Sequence, residues 1–287
     1  MIEVTPSTSA IGAEICGLNI TQPLNGETLA LIEQAFARFG VLIFRAQTIT
    51  PEQHLAFTRY FGDIEVNMHS QYALPEAPAI QVISNIQDDS GKTIGIPDAG
   101  QDWHTDMSYI KKPPRCSLLY ALEIPMQNGE PLGDTIFACA ATAFEALDNE
   151  TRAKLLGLKC THSYAAKHAQ RKKRKVATRA FTDEQENTET VIHPLVRTHP
   201  VTGRKCLYVV PGEIIAIDGV PDQDVEEMAN QLAAHITKPA FQYRHRWQQG
   251  DLLMWDNCTV QHRVDHNFSL PLRRLMHRTT AAGSMPY

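Results

Sequence analysis

The chain has 287 residues, 43% hydrophobic and 21% charged, with a formal net charge of −5. That length is ample for a packed core, and the mild acidity gives no basic field for nucleic acid or an anionic membrane. No apolar run approaches the roughly 18–20 residues of a membrane span, MIEVTPSTSA lacks the regions of a signal peptide, and six scattered cysteines form no C-x-x-C; a reduced, cytoplasmic protein is expected.

Residues 26–39, GETLALIEQAFARF, carry apolar side chains at helical spacing, with Gly40 placed to end the helix. VLIF (41–44) reads as a short buried strand. Thr50-Pro51-Glu52-Gln53 then opens a helix predicted to run to Phe61 and stop at Gly62. The first 60 residues thus read strand–helix–strand–helix. From about 115 the texture changes to short β-rich runs: CSLLYALEI (116–124), TIFACA (135–140), CLYVV (206–210) and DLLMW (251–255). Helical stretches near 141–156 and 221–236 interrupt them. The pattern predicts one domain over 1–287, mainly β with flanking helices around a sandwich or barrel. Segment 165–190 stands out. Its basic run RKKRK (171–175) precedes TDEQENTET, which reads as a solvated loop or as a lid over a pocket for an anionic ligand. No aromatics interleave with the charges as nucleic-acid binding would ask.

WHTDMSY (103–109) carries the chemistry. If it is extended, side chains alternate, and His104 and Asp106 point one way with Thr105 opposite. An imidazole and a carboxylate on one face suit a metal, but a catalytic metal needs a third ligand. His262, in GDLLMWDNCTVQHRV (250–264), follows a strand, an Asp256-Asn257 turn and a second strand, and is the best candidate. Two His and one carboxylate leave three octahedral positions open, as in non-heme Fe(II) oxygenases, for a bidentate 2-oxo acid and O₂. A zinc hydrolase or isomerase is the rival use of such ligands, although H-E-x-x-H is absent. A dicarboxylate co-substrate also needs a cation. In PLRRLMHRTT (271–280), Arg274 and Arg278 share one face of a predicted strand, with His277 on the other. Trp255 reads as core or as pocket lining. His162, His168, His193, His199, His235 and His266 fit no motif and read as structural or surface residues.

WHTDMSY, GDT (133–135), GDLLMWDNCTVQHRV and PLRRLMHRTT, in this order and spacing, resemble the Fe(II)/2-oxoglutarate-dependent dioxygenases of the taurine and 2,4-dichlorophenoxyacetate (TauD/TfdA) family, as does FARFGVLIFRAQTITPEQHLAFTRYFGDIE (36–65). The resemblance implies a double-stranded β-helix (jelly-roll) core. It implies Fe(II) on His104, Asp106 and His262, with 2-oxoglutarate and O₂ as co-substrates. It implies that Arg274, assisted by Thr135, holds the distal carboxylate of 2-oxoglutarate. Arg278 stands where relatives bind either the substrate's acidic group or the co-substrate's inner carboxylate. The reaction implied is hydroxylation of a C–H bond as 2-oxoglutarate becomes succinate and CO₂. A homo-oligomer, dimer or tetramer, is the family habit. A ligand-binding member without turnover is a third reading, which the intact triad disfavours.

The substrate implied is a small organic acid, sulfonate or carboxylate. MHSQY (68–72) offers His69 and Tyr72 at the spacing taurine-type members use, with Asn67 as the competitor if the alignment has no insertion. DAGQDW (98–103) lacks the Asn of the taurine amine contact, and YRHRW (243–247) looks more like the phenoxyacetate branch.

Overall fold

A computed structural model describes residues 2–66, 70–174 and 182–287. The chain opens with β1 (Glu3–Pro6), β2 (Ala13–Cys16), α1 (Gly26–Phe39), β3 (Val41–Phe44) and α2 (Pro51–Thr58). Asn25 caps α1 through the Thr28 N–H, and Gly40 closes it at φ 65°. Thr50 and Gln53 cap α2 reciprocally, with Pro51 in its first turn. This helix ends at Thr58, three residues short of Phe61, because Tyr60 and Phe61 turn back onto Phe57 and Thr58.

Then come β4 (Ala73–Leu74), β5 (Ala77–Ser84), β6 (Cys116–Glu123), the small hairpin β7 (Met126–Gln127) and β8 (Glu130–Pro131), and β9 (Thr135–Cys139). The helix expected near 141–156 is two, α3 (Ala140–Glu145) and α4 (Asn149–Leu155). Asp148 starts α4 by accepting from Thr151, and that cap breaks the run. The chain continues through β10 (Lys159–His162), α5 (Tyr164–Lys173), α6 (Asp183–Glu186), β11 (Val191–Pro194), β12 (Val196–Thr198), β13 (Lys205–Leu207), β14 (Ile214–Ile217), α7 (Asp222–Ile236), β15 (Gln242–His245), β16 (Leu252–Asp256), β17 (Val260–Val264) and β18 (Leu275–Ala281).

The large sheet has the order β1-β2-β3-β16-β6-β18-β5-β4, and a small sheet the order β15-β9-β17. Period-two alternation sends the central strands' side chains to two cores. Leu42, Phe44, Leu118, Leu252 and Met254 pack with Ile32, Phe36 and Phe57 of the two N-terminal helices. Ile43, Leu119, Leu253 and Met276 instead face Phe137 and Val260 of the small sheet. The two facing sheets are the jelly-roll core the sequence leads one to expect. No helix among the described residues is long and apolar enough to cross a membrane.

Candidate active site

His262 sits on β17 between Val260 and Val264, all three on the inner face of the small sheet. His104 pairs with it backbone to backbone. Its N–H donates to the His262 carbonyl at 3.1 Å, and the His262 N–H returns to the His104 carbonyl at 2.7 Å. This lone antiparallel bridge puts the two rings 4.2 Å apart. The extended reading of 103–109 holds no further than this. Residues 106–109 turn, with Met107 at φ 50°. The cause is the Asp256–Asn257 turn, which intercepts the segment. Thr105 Oγ1 donates to the Asn257 carbonyl at 2.7 Å, and the Asp106 N–H to Asn257 Oδ1 at 3.4 Å. Asp106 therefore curls back toward His104. One ligand-type atom from each of His104, Asp106 and His262 lies within 4.8 Å of the others.

The protonation states suit this cluster. His104 Nδ1 is 2.9 Å from the Asp102 carbonyl, which can only accept, so the ring proton sits on Nδ1 and the Nε2 lone pair is free. Burial, with Lys167 nearby, lowers the His104 pKa. Burial and His104 push that of His262 well below the ordinary value. His262 Nδ1 is buried without a hydrogen-bond partner. Burial opposes the charge on Asp106, but Arg278, both histidines and Ser117 outweigh it and hold the carboxyl far below the usual range. Its Oδ2 accepts from Ser117 at 2.6 Å and its Oδ1 from Arg278 Nη1 at 2.9 Å. Two neutral imidazoles beside one carboxylate are a donor set for a divalent metal.

Two cavities meet at His104 and Arg278. The narrow one, about 30 Å³, runs past Trp255 and His262 to Thr135 and Arg274. Arg274 is 3% exposed, and its Nε and Nη2 have no hydrogen-bond partner among the described residues. Burial lowers its pKa to about 10. A buried, charged guanidinium with unpartnered N–H groups costs about 1–3 kcal/mol for each group left unmade, so this end of the cavity is built for an anion. The Thr135 hydroxyl lies 3.0 Å from its donor, Trp247 Nε1, and still has a proton of its own to give. Arg274, Met276 and Arg278 share the inner face as predicted, and His277 is half-buried on the other.

The wider cavity, about 120 Å³, is walled by Met107, the stacked rings of Tyr109 and Tyr164, and Lys167, His168 and Arg171 of α5. The start of the basic run is thus the end of a helix and not a solvated loop. Arg171 bonds Asp98 and Asp102 at 2.9 Å each, and Arg174 bonds Asp102 at 3.1 Å. Carboxylates on the facing loop draw these cations in. Glu213 joins the walls: buried, it accepts from Ser108 Oγ and from Lys167 Nζ at 2.6 Å, with His162 Nδ1 4.0 Å away. Burial works against its charge, yet Lys167, His162 and Ser108 hold its carboxyl at about 2. A depressed acid stabilises the fold above its unfolded value and loses that stability as pH falls through the folded one. The native protein is therefore expected to lose on the order of 3 kcal/mol through Glu213 between about pH 4.5 and 2. Glu213→Gln, followed by chemical denaturation across that range, should show a shallower acid limb; an unchanged limb would refute the assignment.

Of the predicted substrate contacts, Asn67 and His69 lie outside the described residues. Tyr72 lies in a short 3-10 turn, Ser70–Tyr72, and is not among the residues lining either cavity. Arg278 lines both cavities and grips Asp106 with one nitrogen and Gln81 with another. Asn257, Ser117, Glu213 and Lys167 escaped the sequence reading. For Asn257 the signal was present in WDN, since a turn Asn commonly bonds neighbouring backbone. His168, which fits no motif and reads as a structural or surface residue, lines the wider cavity. Trp255 is both core and wall, 4.8 Å from the His262 ring.

The chain matches the model of the family described as taurine catabolism dioxygenase TauD, TfdA family, over residues 3–280. It is 32% identical to pentalenolactone F synthase of Streptomyces arenae, across 98% of this chain and 95% of that one. It is 29% identical to the alpha-ketoglutarate-dependent 2,4-dichlorophenoxyacetate dioxygenase of Cupriavidus pinatubonensis, across 97% of each. The crystal structure of AAD-2 in complex with Mn(II) and N-oxalylglycine matches with a TM-score of 0.81 at 30% identity, covering 100% of this chain and 99% of that one. With the family model spanning nearly every residue of a jelly-roll chain, the protein belongs to the TauD/TfdA family and is a 2-oxoglutarate-dependent dioxygenase.

Proposed function

We propose that His104, Asp106 and His262 hold Fe(II), and that the enzyme hydroxylates a C–H bond of a small organic acid. The observation that carries this reading is the cluster of two neutral imidazoles and one carboxylate, opening onto a cavity that ends at Arg274, whose Nε and Nη2 have no partner among the described residues. Bound there, Fe(II) supplies O₂ activation coupled to decarboxylation of 2-oxoglutarate to succinate, and the chain's own residues do the rest. Arg274 and Thr135 anchor the distal carboxylate of 2-oxoglutarate. Trp255, Val264 and Leu119 line that cavity and exclude water. Asp102 fixes the His104 tautomer, while Ser117 and Arg278 orient Asp106. On the substrate side, Tyr109 and Tyr164 offer an aromatic wall, and Lys167, Arg171 and Arg278 attract an acid. The name of the 2,4-dichlorophenoxyacetate relative agrees with a carboxylate substrate. Helix α5 serves as a cover, tied down through Lys167, Arg171 and, just past its end, Arg174.

Anaerobic addition of Fe(II) and 2-oxoglutarate is expected to produce a weak visible charge-transfer band, which a substrate acid shifts. With O₂, a panel of sulfonates and carboxylates should include one that accelerates succinate release. No band, or an unchanged band in His104→Ala, refutes the metal assignment; a panel with no response refutes the acid.

A further inference from the structure

Behind the Asp256–Asn257 turn lies a third cavity, of about 310 Å³. Phe36, Pro113, Pro114 and Val201 give it apolar walls, and Cys258 and Arg197 lie at its inner side. Arg197, on β12, is only 4% exposed. Among the described residues its Nε and Nη1 have no hydrogen-bond partner, and the ring of Tyr208 lies 4.7 Å from the guanidinium carbon. The surrounding charges are already engaged. Arg115 is held by Glu33 and by the Phe61 carbonyl. Asp256 accepts from His199 at 2.6 Å, from Thr259 at 2.9 Å and from the Cys258 N–H at 2.7 Å. His199 Nδ1 accepts from the Val201 and Thr202 N–H groups, so the ring's proton is on Nε2 and His199 is neutral. Asp256 thus lends Arg197 long-range charge but no acceptor. The situation parallels that of Arg274: a buried guanidinium with unmade hydrogen bonds at the wall of an open space.

We propose that this cavity binds a small monocarboxylic acid with an apolar body. The carboxylate answers Arg197, and the body covers Phe36, Pro113, Pro114 and Val201. A bare inorganic anion would leave those walls wet, so the apolar lining selects the organic acid. The site is separate from the metal cluster but shares a wall with it. Asp256 and Cys258 line the cavity, while Asn257 between them holds Thr105 and Asp106.

The test is calorimetric titration of benzoate, butyrate and sulfate into the full-length protein, saturated with Zn(II) and 2-oxoglutarate. Benzoate or butyrate is expected to bind in the micromolar to millimolar range, more tightly than sulfate. Arg197→Gln should weaken that binding about ten-fold or more, the worth of one charge-assisted bond. Val201→Trp fills the rim at an exposed position (65%) and should also abolish it, with turnover unchanged. This second variant carries the test if Arg197→Gln does not fold. Arg274→Gln should leave benzoate binding intact. Absence of binding to the native protein, binding that survives both Arg197→Gln and Val201→Trp, or loss in Arg274→Gln alone each overturns the proposal. Sulfate binding as tight as benzoate overturns the assignment to an organic acid. Failure at this site leaves the metal assignment standing, because the charge-transfer band reads that one separately.

Discussion

His262→Ala is expected to abolish iron-dependent succinate formation, by roughly 10³-fold or more, while the protein stays folded. The two halves of that expectation have different causes. The bridge that positions His104 uses only the main chain of residue 262, so the alanine variant keeps it. The lost imidazole packs against Phe137, at 5.9 Å, and Trp255, at 4.8 Å. Emptying that space should cost about 2–3 kcal/mol, less than most domains of this size can lose before unfolding. The remaining His104 and Asp106 are two ligands, too few to hold a catalytic metal against buffer. Metal analysis after gel filtration should find the variant depleted of iron, and the anaerobic charge-transfer band should vanish. His54→Ala is the control, a buried imidazole that lines neither cavity of the site. If His262→Ala keeps both its iron and its band, the three-residue assignment is wrong.

The parts of this site that were legible in the sequence are those set by local rules. Alternation from Arg274 into β18 aims Arg274 and Arg278 into one space, and alternation on β17 places His262 inward between two valines. The N-cap of α2 and the end of α1 follow from Thr50 and Gly40, whereas the Asn25 cap of α1 comes from the structure. What escaped depends on contacts between distant segments. Asp106 reaches His104 through a turn at Met107 that Asn257, 151 residues on, imposes. Nothing local to WHTDMSY encodes that turn, so an extended segment was the natural reading. For the basic run, a solvated loop and a lid over a pocket are equally legible from sequence; Arg171 lines the wider cavity because Asp98 and Asp102 face it, and Arg174 joins it on Asp102. Glu213 could not be found at all from its own neighbourhood, PGEII, since its partners come from β10, α5 and the turn after Asp106.

Arg274→Gln is expected to separate affinity from stability. In most proteins, truncating a buried charged residue destabilises, because a partner is left behind. Here Arg274 has no acidic partner among the described residues, and its Nε and Nη2 are already unmet. Removing the charge relieves a desolvation cost that the Phe268 ring, 5.8 Å from the guanidinium carbon, offsets only in part. The variant should therefore melt at the same temperature as the native protein or above it. Its affinity for 2-oxoglutarate should fall about 100-fold, the usual cost of deleting one side of a buried charge pair. With Zn(II) present to block turnover, 2-oxoglutarate should raise the native Tm by mass action and leave that of the variant nearly unmoved. Arg274→Lys should recover only part of the affinity, since an ammonium restores the charge but not the planar fork that matches a carboxylate. Native-like affinity in Arg274→Gln would mean that the co-substrate does not reach this end of the cavity. A large fall in Tm without ligand would make Arg274 a structural residue instead.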